Sequence, residues 1–325
     1  MGIGIRQVVA VVIAAGVSTF SYAQAYPTKP INYVLASTAG GGAEAAFRPI
    51  AEQLAKVLGQ SVILDFKPGA GGDIASLHVK SQAPDGYTVF AASNQVVVRS
   101  LVPNAKFDAR KDFTHISPSG WSAFIIAVNA EQIKATTIRE LIEEARRRPS
   151  EINYASYGVG SGAHMLMELL LYETKVSMTH VAYKSTAGSV ADTVGGRTQV
   201  VIGIMPTMAP HVASQGGSGK LRVLVVTSQD RSPFFADIPG MRDAGYQLDY
   251  VGWSGFMGPP GMAPGLVSVL NRAYNETLKD PATAERLRKN GSINTGGTPQ
   301  QLTRNVEREY NEYARLIKET GLKLE

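Results

Sequence analysis

The chain has 325 residues, a formal net charge of +5, 44% hydrophobic residues, 33 Gly, 17 Pro and no Cys. That hydrophobic share and only 18% charged residues exclude wholesale disorder and a coiled coil, and the length suggests about two domains. The missing cysteine excludes disulfides, thiolate metal sites, iron–sulfur clusters and cysteine nucleophiles, and the charge excess is too small and dispersed for a nucleic-acid surface.

Met1 to Ala25 reads as a secretory signal peptide: Arg6 supplies the positive end, Val8 to Val17 the apolar run, and Ser21-Tyr22-Ala23 or Ala23-Gln24-Ala25 the cleavage site. The run is short of the ~20 residues that span a bilayer. With no Cys to carry a lipid, the mature chain is expected to start near Gln24 or Tyr26, free in a bacterial periplasm. That compartment disfavours ATP- and NAD-dependent chemistry.

Strands and helices then alternate. Ile31–Leu35 is a predicted strand, followed by Gly40-Gly41-Gly42 and a helix over Ala45–Leu58. Val62–Leu64 is a strand ending in Lys67-Pro68-Gly69-Ala70-Gly71-Gly72, before a helix over Ile74–Lys80. Tyr87–Ala92 is a strand ending at Ser93-Asn94, and Phe124–Val128 is another. Thr137–Arg148 reads as a helix with Thr137 and Glu140 as a capping box and Pro149 as its stop. Ile152–Ser156 is a strand, Tyr157–Gly162 a glycine loop and Ala163–Glu173 a helix. Val176–Tyr183, Gln199–Ile204 and Leu221–Thr227 are further strands, and Gly265–Leu324 is mostly helical. This alternation predicts an α/β fold with parallel sheets covered by helices.

Glycines and hydroxyl residues recur where strands hand over to helices, at Ser37–Gly42, Pro68–Gly72, Ser93-Asn94 and Ser156–Gly162. Ligands of open α/β sheets bind at the carboxyl ends of strands, and helix N-termini favour anions. The joint pattern therefore points to a small anion held by dipoles and hydroxyls.

Motifs of other functions fall short. Gly158-Val159-Gly160-Ser161-Gly162-Ala163 fits a dinucleotide loop but lacks the acidic residue after the next strand. Gly216–Lys220 lacks the first Gly and the Ser/Thr of a P-loop, and neither Gly160-Ser161-Gly162 nor Gly252-Trp253-Ser254-Gly255 makes a nucleophile elbow. No histidine spacing gives a zinc site, since His164 and Glu168 supply only two ligands on one helix face. No cofactor and no metal is expected.

Several blocks carry a family resemblance in order: Tyr26-Pro27-Thr28-Lys29-Pro30-Ile31, Ala39–Gly42, Lys67–Gly72, Ala83-Pro84-Asp85-Gly86-Tyr87-Thr88, Asn153-Tyr154-Ala155-Ser156, Gly158-Val159-Gly160, His180–Lys184 and Gly296-Gly297-Thr298-Pro299. Over essentially its whole mature length the chain resembles the Bug family, the TctC-type extracytoplasmic solute-binding proteins of tripartite tricarboxylate transporters. The resemblance implies a two-lobed periplasmic-binding-protein fold (Venus flytrap, type II-like) with a parallel-rich sheet in each lobe. Residues 26–124 with 250–325 would form one lobe and 125–249 the other, closing about strands near Phe124–Val128 and Val251–Phe256.

The same resemblance implies a monomer that captures a small organic carboxylate and hands it to permease subunits of the TctA and TctB kind. Ser37, Thr38, Ala39, Gly40 and Gly41 would hold one carboxylate, with Ser93 and Asn94 in the same lobe. Ser156, Gly160, Ser161 and His164 would close from the other lobe, with Tyr183 and Met205 nearby. The sequence departs from the family pattern where Ser37 replaces an aromatic residue, Ala36 and Ala39 replace prolines, and Glu44 stands for an Asp. Gly203-Ile204-Met205 lacks a usual Asp, which argues against a ligand with an amino group. Two other readings share these residues. A sensory adaptor would use the same pocket with a membrane kinase, and a small-acid hydrolase would need Ser161 activated by His164.

Overall fold

The computed structural model of the chain describes residues 26–40, 42–289 and 291–324. The expected signal peptide, residues 1–25, and Gly41 lie outside the described residues.

Two mixed sheets organise the chain. The first begins with β1 (Ile31–Leu35), α1 (Gly42–Leu58), β2 (Val62–Phe66), α2 (Asp73–Lys80), β3 (Thr88–Ser93), α3 (Asn94–Arg99) and β4 (Thr114–Ala123). The chain then crosses at Phe124 into β5 (Ile125–Asn129), α4 (Ile138–Arg147), β6 (Asn153–Ser156), α5 (Gly162–Thr174), β7 (Thr179–Ala182), α6 (Thr186–Val194), β8 (Val200–Gly203), α7 (Met205–Met208) and β9 (Leu221–Val226). It returns as β10 (Val251–Gly258) and ends with α8 (Pro264–Lys279), α9 (Pro281–Lys289), β11 (Ile293–Asn294) and α10 (Pro299–Thr320).

The strand order is β11-β4-β10-β3-β1-β2 in the first sheet and β7-β6-β8-β5-β9 in the second. Parallel pairing is confined to β2-β1-β3 and β7-β6-β8, the segments built from strand–helix–strand units. Strands arriving through a crossing run antiparallel: β10 against β3 and β4, and β5 against β8 and β9. The two crossings are tied to each other. Thr227 donates its amide to the Phe124 carbonyl (2.9 Å) and its hydroxyl to that of Tyr250 (2.7 Å), while the Tyr250 amide returns to Thr227.

Local sequence explains most elements. All five residues of β5 are buried, as a central strand requires. α10 has a complete capping box between Thr298 and Gln301, Pro299 at its first turn and Gly321 in the left-handed region at its end. At α4 the Thr137 hydroxyl caps the Glu140 amide, but the Glu140 carboxylate accepts from Thr136, one residue before the expected partner. α5 is buried on nearly every side, because it packs inside the molecule. The strand expected over Val176–Tyr183 is limited to Thr179–Ala182, since the Val176 amide is spent closing the end of α5 on Leu171.

A continuous core joins the two halves. One cluster of buried side chains includes Phe90 and Val97 from the first sheet's side, Phe124 at the crossing, Leu166 of α5, and Tyr250 and Tyr313. A second cluster packs α1 and α8 onto the first sheet, where Phe256 and Tyr274 stack at 4.2 Å.

Candidate functional site

A cavity of about 330 Å³ opens between the first sheet and the β8–α7 corner of the second. That volume lies in the range of small-molecule sites. The early turns of α1 line it through Ala45, Ala46 and Phe47, and the adjoining strands β4 and β10 through Ser119–Ser122 and Gly252–Ser254. Ile204 and Thr207 cover it from the second sheet's side. Among the described residues no titratable side chain lines it; its polar groups are hydroxyls, an amide and backbone.

The chain builds this wall with small residues and a bulge. The β10–β4 register slips between Ser254 and Gly255, which re-aims the strand beside the cavity. A Cβ on Gly120 would stand 2.2 Å from the Ile293 carbonyl, so only glycine lets β11 close this edge. The hydroxyls of Ser122 and Ser292 pair at 3.0 Å, and Ser119 bonds Tyr274 at 2.6 Å, which in turn meets Tyr33 at 3.0 Å. Behind Trp253 lies the buried carboxyl of Glu309. It accepts from the indole N–H (2.5 Å) and from the Tyr313 hydroxyl (2.6 Å). Burial pushes this carboxyl up to about 7.

Of the residues singled out from the sequence, none of the twelve that are described lines this cavity. In the first loop Thr38, Ala39 and Gly40 are exposed, and Ser37 is half-buried with a hydroxyl that makes no hydrogen bond. The Gly40 amide is engaged by the chain's own Glu44 carboxylate at 2.6 Å. Arg48 and this amide hold that carboxyl below its usual range, the amide being the larger cause. Ser93 caps α3 and pairs in register with the cavity residue Ser254.

A second group meets at the seam between α3 and the β6–α5 loop. Asn94 is buried and donates to the Tyr250 hydroxyl at 3.2 Å. A Cβ on Gly162 would lie 2.8 Å from the Asn94 amide nitrogen and 3.1 Å from the Phe124 ring. A Cβ on Gly160 would lie 3.0 Å from Val98. The structure thus packs Asn94 and Val98 of α3 against Gly162 and Gly160, from opposite sides of the crossing.

Ser156, Ser161 and His164 are buried and bonded within the chain. Ser161 caps α5 at the His164 amide (3.2 Å), and the Ser156 hydroxyl meets His180 Nε2 at 2.7 Å. His164 Nδ1 accepts from the Gly160 amide (3.0 Å), which puts the ring proton on Nε2, 3.8 Å from Glu168. The rings of His164 and His180 stack at 4.0 Å. Burial pushes His164 down to about 3, with His180 adding to the shift, and pushes His180 down to about 4. Both rings are therefore neutral at ordinary pH. The Ser161 and His164 side chains do not bond each other, so no serine–imidazole relay exists. Tyr183 donates to Asp192 at 2.9 Å, and Met205 is buried at the start of α7, lining a neighbouring hollow.

A model of the tripartite tricarboxylate transporter family receptor matches residues 46–322. Protein BugT of Bordetella pertussis (strain Tohama I) is 32% identical, with 96% of each chain covered. Among solved structures, an R. palustris protein with adipate superposes with a TM-score of 0.79 at 28% identity, covering 92% of this chain and 99% of the other. Periplasmic binding protein BugD superposes with a TM-score of 0.76 at 26% identity, again covering 92% and 99%.

Proposed function

This chain belongs to the tripartite tricarboxylate transporter receptor family, and on that premise we propose that it captures a small organic carboxylate between two lobes and delivers it to a membrane permease. The family is one of periplasmic solute-binding receptors, and the chain is such a receptor, not an enzyme. In this reading the lobes are residues 26–124 with 250–325, and residues 125–249. The signal peptide carries the chain to the periplasm, and TctA- and TctB-like subunits receive the ligand.

The observation that carries the reading is the uncharged, hydroxyl-bearing cavity between the two sheets. A carboxylate there would be held by hydroxyls, backbone N–H groups and the dipole of α1, with no countercharge to hinder its release. The unpartnered hydroxyl of Ser37 supports a role for the first loop, since a buried polar group ordinarily finds a partner. In this reading Ser37–Gly41, Ser93 and Asn94 grip from one lobe. Ser156, Gly160, Ser161 and His164 shape the loop that closes from the other, with Tyr183 and Met205 on its flank. The adipate named with the R. palustris relative supports a ligand of this class. Binding would favour the closed arrangement because the ligand touches both lobes.

Thermal unfolding against a panel of mono-, di- and tricarboxylates tests the reading. A binder raises Tm in a concentration-dependent way, with about 2.7 kcal/mol of added stability at a hundred times its Kd. If no carboxylate in the panel moves the transition, the reading is wrong.

A further inference from the structure

Glu309 of α10 is the only buried acidic residue among the described residues. It stands directly behind the cavity wall, because its Oε2 accepts from the indole of Trp253 and Trp253 lines the cavity. An anion captured in the cavity meets no countercharge among the described lining residues, and has a carboxyl one indole ring away.

The groups behind Glu309 suit a carboxyl that changes its protonation. The Tyr313 hydroxyl bonds Oε1 and meets the Tyr250 hydroxyl, to which Asn94 donates at 3.2 Å. With the carboxyl ionised, every donor points toward it: Asn94 to Tyr250, Tyr250 to Tyr313, Tyr313 to Oε1, and Trp253 to Oε2. With the carboxyl neutral, the acid O–H donates to Tyr313, Tyr313 to Tyr250, and Tyr250 to the Asn94 amide oxygen once that amide turns end for end. Trp253 keeps its acceptor in both states. The charges that act on Glu309 are Glu312, which favours the neutral acid, and Arg308, which opposes it, both on α10. Of the elements packed on α10, β4 brings His115, bonded to Thr303 and lowered by burial. Next, α3 brings Arg99, paired with Asp73, and α5 brings Glu173, which acts on Glu312, as does Asp249.

We propose that Glu309 couples anion capture to a proton: a carboxylate entering the cavity drives a proton from solvent onto Glu309, and a rise in pH weakens the hold on the ligand. This rests on the reading of the chain as a carboxylate receptor. Two unit charges roughly 10 Å apart, at an effective dielectric of about 20, repel enough to favour the neutral acid about ten-fold. By linkage, the ionised form binds the anion weaker by the same factor.

The test is calorimetric titration of the full mature chain with adipate, hexanoate, benzoate and any further acid that raises Tm. Titrations run from pH 6 to 9 in buffers of different ionisation enthalpy, so that the heat counts protons. For each acid that binds, Kd should rise about ten-fold across the range, with about half a proton taken up at pH 7.5. Glu309→Gln, whose amide donates to Tyr313 as the neutral acid does, should bind at every pH as wild type binds at pH 6, without uptake. Glu312→Gln should keep the wild-type profile. The inference is overturned if wild type takes up no proton and its Kd stays within two-fold from pH 6 to 9, a result that needs no variant to fold. It is overturned equally if the profile survives in Glu309→Gln or is lost in Glu312→Gln. In those cases carboxylate binding itself survives. Absence of binding by every acid removes the receptor reading as well.

Discussion

Glu309 and the histidine pair load the molecule with protons in opposite senses. Glu309 titrates near 7 in the folded chain, above its unfolded value, so its contribution is complete at acid pH and is lost as pH rises through 7. His164 and His180 are depressed, so their contribution is complete above about 6.5 and is lost as pH falls toward 4 and 3. Glu309→Gln keeps an acceptor for Trp253, while its amide N–H replaces the acceptor for Tyr313, whose hydroxyl then accepts instead of donating. Melting curves should place this variant roughly 5 °C above wild type at pH 8 and near it at pH 5. An equal Tm at both pH values would show that the carboxyl is ionised without penalty. These pairings could not be read from the sequence. Ser156, Ser161 and His164 look like ligand contacts because hydroxyl and imidazole groups in a glycine loop suit an anion. Ser156 bonds His180, which stacks on His164 from the adjacent strand, a pairing that no local pattern records.

At the scale of elements, α3 and the β6–α5 loop meet closely enough that Gly162 has no room for a side chain. Gly162→Ala pushes a methyl group onto Asn94 and Phe124, and should cost about 1–3 kcal/mol. A double-mutant cycle with Asn94→Ala should recover part of that loss, because the crowded amide is gone. Strict additivity in urea unfolding would place the strain elsewhere. Elements with strong apolar or capping signals were legible: β1, β3, β5, α4 and α5 fall within a few residues of expectation. β4 was not, because Ser117-Pro118-Ser119-Gly120 reads as a turn. Those residues are strand because β10 pairs along them and α10 covers them. Missing β4 also hid the cavity wall, since Ser119, Trp121 and Ser122 stand on it.

For the whole molecule, strand–helix alternation conveyed the α/β class and the family resemblance implied the crossings near Phe124 and Val251, but neither conveyed the strand order. Order depends on pairing between segments far apart in the chain, which no local pattern records. The placement of β10 between β3 and β4 has a consequence for how the protein is made. Until residue 251 emerges from the ribosome, β4 has no neighbour through which to join the first sheet, and β3 carries an open edge. The second sheet needs nothing beyond β9, so it can be complete while the first is still waiting. A chain ending at residue 250 should therefore protect amides of β5, β6 and β8 from hydrogen exchange and leave those of β4 unprotected. Protected β4 amides in that fragment would mean the strand finds another partner. The last part of the polypeptide to be synthesised thus gates the assembly of the part made first.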